Sequence, residues 1–188
     1  MKCNKIALAT ALVLGLGAAG SASAETGLIT FTGSVTDSTC AVSGGTGTDG
    51  GTTNFTVALD AAPATSLAAA GSTAARKDFQ IIFSNGNGGA CAAALTSVDF
   101  SYSSSSPNVN TNGRLRNILT AAQQAATNVD LQILDGTTPL NLTLGTVKRI
   151  ALSTTGPTTT TYGVQYFATG QSTVGGVRSN VIYNAVYN

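Results

Sequence analysis

Residues 129–134 read VDLQIL, and Asp135-Gly136 separates them from a second run at 138–144, TPLNLTL. Val129, Leu131 and Ile133 alternate with Asp130 and Gln132. Successive side chains of a strand point to opposite faces, so this alternation gathers an apolar face on one side. Asp-Gly between two such runs suits a tight hairpin, because glycine accepts the positive φ that the turn requires. The stretch reads as two antiparallel strands and sets the period to seek elsewhere.

The same period recurs in both directions along the chain. Residues 27–35 (GLITFTGSV) put Ile29 and Phe31 on one face and Thr30 and Thr32 on the other. Alternating runs follow at 54–59 (NFTVAL), 78–83 (DFQIIF) and 97–102 (SVDFSY), and the stretches 162–168 (YGVQYFA) and 177–187 (VRSNVIYNAVY) are rich in Val, Tyr and Phe. Glycine, serine, threonine and asparagine clusters divide them, which predicts an all-β sandwich. Residues 43–53 (SGGTGTDGGTT) are of low complexity and predict a mobile loop. Residues 66–75 and 115–126 carry Ala and Leu and have room for a helical turn each. No linker divides the sequence after its first two dozen residues, so one domain is expected.

The N-terminus sets the compartment. Lys2 and Lys5 flank a short basic start, Ile6 to Gly20 is apolar and uncharged, and Ala22-Ser23-Ala24 offers the small residues of a cleavage site. This is the layout of a secretory signal peptide over 1–24, and the apolar run is shorter than the ~20 residues a membrane span needs. Cleavage after Gly20 or Ala22 is the alternative. The chain of 188 residues then loses Cys3 and two of its nine basic residues, leaving seven against eight acidic ones. Such a balance gives no basic field to hold nucleic acid. Cys40 and Cys91 remain, and an oxidising compartment makes a disulfide between them the expectation, with two free thiols as the alternative.

No catalytic constellation stands out. The chain has no histidine, which removes the commonest general base and metal ligand. The Asp residues are scattered, and an Asp pair of the glycosidase type would need the fold to bring two together. The serines at 101–106 (SYSSSS) lack a histidine base, leaving only Lys77 or Lys148 for a Ser–Lys arrangement; Lys148-Arg149 reads more simply as a solvated strand edge. Glycines 86, 88 and 89 do not have phosphate-loop spacing. Asn141-Leu142-Thr143 matches a glycosylation sequon that chance often produces. No catalytic residue, metal or cofactor is expected.

Several pieces in order carry a family pattern: the signal peptide, VTDSTCAV at 35–42, two cysteines, NVDLQILDGTTPLNL at 128–142 and YGVQYFATGQSTVGGV at 162–177. Gly175 lies fourteenth from the C-terminus and Tyr187 is penultimate. Across the residues that follow the signal, this resembles the type 1 family of chaperone–usher pilins. The resemblance implies an incomplete immunoglobulin-like sandwich, lacking its seventh strand and completed by a donor strand from a neighbouring subunit. It divides the chain into a donor extension at 25–33 and a pilin domain at 34–188. Gly27, Ile29 and Phe31 would be the donor face, with Gly27 where only a small residue fits. The terminal strand 177–187, with Gly175, Val177, Val181, Tyr183, Ala185 and Tyr187, would form the acceptor groove and chaperone-contact strand.

Its implied partners are identical or related pilin subunits, a periplasmic chaperone and an outer-membrane usher. Its implied location is the cell-surface fimbrium, reached through the periplasm, with a role in cell adhesion. Only about eight residues precede Gly33 after the cleavage site, so the extension is short for the family. Competing readings are a one-domain minor or adaptor pilin, a secreted β-sandwich lectin and, more distantly, an Asp-based glycosidase. An ordinary first strand of a complete sandwich is the alternative for 27–35.

Overall fold

The computed structural model describes residues 40–188. The signal peptide at 1–24 and the extension at 25–33, with Gly27, Ile29 and Phe31, lie outside the described residues. The regular structure of the described residues is almost entirely strand: β1 (Ala41–Gly44), β2 (Thr73–Ser84), β3 (Ser97–Tyr102), β4 (Leu115–Arg116), β5 (Val129–Asp135), β6 (Thr138–Pro139), β7 (Val147–Ala151), β8 (Thr158–Ala168) and β9 (Tyr183–Tyr187). One sheet runs β1-β2-β8-β5-β4, with β6 attached to β5; the other runs β7-β3-β9. Every pairing is antiparallel.

Alternation explains how the sheets meet. On β3, Val98, Phe100 and Tyr102 are buried while Ser97, Asp99 and Ser101 between them are less so. They pack on Phe79, Ile81 and Phe83 of β2, Leu131 and Ile133 of β5, and Tyr162 and Val164 of β8. Phe100 sits at the centre, edge-on to Phe83 at 6.0 Å and to Tyr102 at 5.4 Å between ring centroids. Each such aromatic pair adds about 0.5–1.5 kcal/mol beyond burial of its area.

The founding hairpin forms as its sequence predicts. Asp135 pairs with Thr138 across the loop Gly136–Thr137, and Gly136 has φ 59°. Its second strand stops after two residues, and 142–144 close into a 3-10 turn capped by Asn141. The polar face of β5 also departs from expectation, since Asp130 and Gln132 are buried. Arg114 at 3.2 Å and Asn110 at 2.8 Å hold the Asp130 carboxylate, and Gln132 accepts from Gln165 on β8 at 2.9 Å. A buried polar group persists where such partners replace water.

Cys40 and Cys91 form the expected disulfide, tying the start of β1 to the segment between β2 and β3. The glycine-rich loop differs from its prediction. Gly45 N–H donates to Gln80 O, Gln80 N–H to Thr46 O, and the Asp49 carboxylate accepts from Gly51 and Thr56, so the loop is fastened to β2 and to the residues after it. Short 3-10 turns stand at Ala64–Leu67 and Ala121–Gln123, the latter closed by a Thr120–Gln123 capping box. Residues 73–75, placed in the first helical segment by sequence, belong to β2 instead.

Candidate functional site

Besides 138–144, two of the predicted strands do not form as read, and these two flank an opening. Residues 54–59 keep their alternation, with Phe55, Val57 and Leu59 half-buried and their neighbours exposed, but join no sheet. Among the described residues, the backbone groups of 57–62 enter no backbone hydrogen bond. Residues 177–187 likewise alternate throughout, but only Tyr183–Tyr187 is a paired strand. The cause lies in β3, which ends at Tyr102 where the serine-rich run turns away and leaves residues 177–182 without a ladder. Arg178 N–H bonds to the Asn117 side chain instead, and Ile182 N–H to the Ser106 hydroxyl.

β9 has one occupied edge. Ser103 N–H donates to Ile182 O at 2.8 Å, and Ser97 and Asn188 exchange bonds at 2.9 and 3.2 Å. An antiparallel ladder uses alternate residues on each side. The even-numbered residues therefore bond β3, and the N–H and C=O groups of Tyr183, Ala185 and Tyr187 point away from it. No strand pairs with that edge among the described residues.

Between the two segments lies a groove with about 590 Å³ of open space. Phe55, Val57 and Leu59 form one wall, Ser179, Val181 and Tyr183 the other, and the floor is Phe79, Ile81, Leu131, Ile133 and Val164. The floor residues are the inner face of the large sheet where, among the described residues, no strand of the small sheet covers them. At one end the walls meet: the Phe55 and Tyr183 rings stack with centroids 6.1 Å apart, and the Tyr183 hydroxyl donates to Thr53 O at 2.5 Å. Burial raises the phenol of Tyr183 above its ordinary range, and burial together with Tyr183 pushes Tyr187 up to about 12. Both phenols are neutral at physiological pH, and Arg178 is the charged residue among the groove's described lining.

Val181 and Tyr183 line the groove; Val177, Ala185 and Tyr187 pack on the core beside it, Tyr187 edge-on to Phe83 at 6.4 Å. Gly175 is not in the lining. A Cβ there would collide with the backbone at Gln124–Ala126, where Gly176 exchanges hydrogen bonds with Gln124 and Ala126. Its glycine answers a close approach within its own chain. Sequence reasoning missed the first wall and the floor. The alternation of 54–59 was visible but marks any strand, and the floor residues carry the same signal as the rest of the core.

The remaining chemistry is dispersed. Lys148 is paired with Asp135 at 2.7 Å on β7, an edge strand of the small sheet, and Arg149 with Asp99 at 2.7 Å. Among the described residues, no three His, Cys, Asp or Glu side chains gather as metal ligands would.

The chain is 33% identical over 184 residues to the F17 fimbrial protein of Escherichia coli, covering 93% of this chain and 96% of that one. It is 35% identical over 178 residues to the major fimbrial subunit SMF-1 of Stenotrophomonas maltophilia, covering 89% and 95%. No protein-family model matches. Among solved structures, a chain of a chaperone–usher pilus whose structure concerns rod uncoiling superposes with a TM-score of 0.54 at 17% identity, over 87% of this chain and 96% of that one. That likeness is one of fold: a two-sheet, immunoglobulin-like β architecture is common to both.

Proposed function

This chain belongs to the fimbrial subunits and is a structural component of a cell-surface pilus; from that premise we propose that its groove receives residues 25–33 of a neighbouring copy. The observation that carries the proposal is that, among the described residues, a β9 edge with no paired strand lies beside a core floor with no strand over it. An open sheet edge invites strand addition, and an alternating segment answers both deficits at once. Its backbone bonds the edge while Gly27, Ile29 and Phe31 enter the groove. On the opposite wall, the backbone groups of 57–59 enter no backbone hydrogen bond among the described residues and offer the incoming strand a second ladder.

Donor and acceptor are different surfaces of one chain, so the contact is heterologous and generates an open fibre rather than a closed dimer. In this reading 1–24 is removed during export. The subunit then passes through the periplasm, where a chaperone covers the groove until an outer-membrane usher exchanges it for the next donor. The chain is assigned to the shaft, in keeping with the relative named as a major fimbrial subunit. Catalysis has no part in this role, which rests on contacts alone.

Sheared surface material, run in SDS without and with boiling, tests the proposal. Polymers joined this way dissociate slowly and give a ladder until heated. Monomer in both lanes would refute the polymer.

A further inference from the structure

Ile182 and Val186 are large apolar side chains left 52% and 58% exposed. Both lie on the solvent face beside the β9 edge that no strand pairs among the described residues, with exposed Asn184 between them. Their neighbours on the other side supply no apolar partner: Val186 stands opposite Asp99, whose carboxylate Arg149 holds through two bonds of 2.7 Å, Asn184 opposite Ser101, and Ile182 beside Ser103. The side that would complete an apolar pair is the one where no strand stands among the described residues. In the segment proposed above to fill it, Gly27, Ile29 and Phe31 turn inward, so Thr26, Leu28, Thr30 and Thr32 turn outward. Leu28 is the one large apolar residue on that outer face.

We propose that Leu28 of one copy packs on Ile182 and Val186 of the next, forming an outer apolar contact that flanks the junction opposite the groove. Directly opposed strand residues have Cβ atoms about 5 Å apart and diagonal ones about 7–8 Å, so Leu28 reaches at least one of the pair from any of three neighbouring registers. The contact would also shield the new edge hydrogen bonds from water. This inference rests on the donor reading, and its test is separable from that reading.

Fibres of the full chain would be built with Leu28→Cys combined in turn with Ile182→Cys, Asn184→Cys or Val186→Cys, oxidised, and boiled in SDS without reductant. Phe31→Cys with Val181→Cys serves as the groove-side companion. The expected result is a boil-resistant, reductant-sensitive ladder from at least one Leu28 pair. Monomers from all three beside a ladder from the groove pair would overturn the outer contact and leave the donor reading standing. Monomers from every pair would overturn both. If the cysteine variants fail to assemble, Leu28→Thr fibres decide. They should dissociate about three- to fivefold faster in hot SDS, the size of one apolar cross-strand pair, with Ile182→Thr and Val186→Thr together adding less than they do alone. Full additivity would overturn the contact.

Discussion

Replacing Phe55 with alanine tests whether the first wall belongs to the junction. In the subunit the ring is half-buried and stacks on Tyr183 at 6.1 Å. Full burial of a phenylalanine stabilises by about 1.5–3 kcal/mol, so half burial supplies about 1 kcal/mol. The aromatic pair adds about 0.5–1.5 kcal/mol. Phe55→Ala should therefore lower the subunit's stability in urea by about 2 kcal/mol. A donor strand lying against this wall covers the remaining ring surface, so the fibre should lose roughly a further 1 kcal/mol, close to fivefold in dissociation rate. The assay compares urea unfolding of the refolded subunit with the rate at which fibres release monomer in hot SDS. A destabilised subunit whose fibres dissociate at the wild-type rate would refute the placement of the wall.

Two further outcomes follow from the groove's surroundings. Gly175→Ala drives a methyl into the backbone at Gln124–Ala126, and such overpacking costs about 1–3 kcal/mol; urea unfolding of the isolated subunit should register it, and unchanged stability would mean that Gly175 answers only to a partner. Burial raises the phenol of Tyr187 to about 12 from an ordinary 10.0. The folded chain then holds that proton more tightly than the unfolded one, so the associated stability is complete below pH 10 and fades as pH climbs toward 12. Denaturation midpoints should fall across that window, and Tyr187→Phe should lessen the fall without abolishing it, because burial also raises Tyr102, Tyr162, Tyr166 and Tyr183.

Much of the fold was legible because burial follows a period of two. The turn at Asp135-Gly136, the faces of β3 and the Cys40–Cys91 disulfide all follow from rules readable in the sequence. Polar residues were harder to place: Asp130 and Gln132 look solvent-facing in sequence, and only Arg114, Asn110 and Gln165, brought from elsewhere, make their burial tolerable. The glycine-rich loop was misread for a similar reason, since its bonds to Gln80 and Thr56 are set by the tertiary fold. The groove itself was only half legible. The alternation of 177–187 was visible, but that its ladder stops at Tyr183 depends on where β3 turns away. Phe55, Val57 and Leu59 show a strand pattern without showing that no strand among the described residues would pair with them.

The central claim is that Phe31 of one copy enters the groove of the next, and fibre yield from Phe31→Asp measures it most directly. A carboxylate carried onto the apolar floor of Phe79, Ile81, Leu131, Ile133 and Val164 would be stripped of water, and Arg178, the cation among the described lining residues, belongs to the wall and is exposed. Folded, exported subunit with no fibre at the surface is the predicted result. Fibres at wild-type yield would contradict the account.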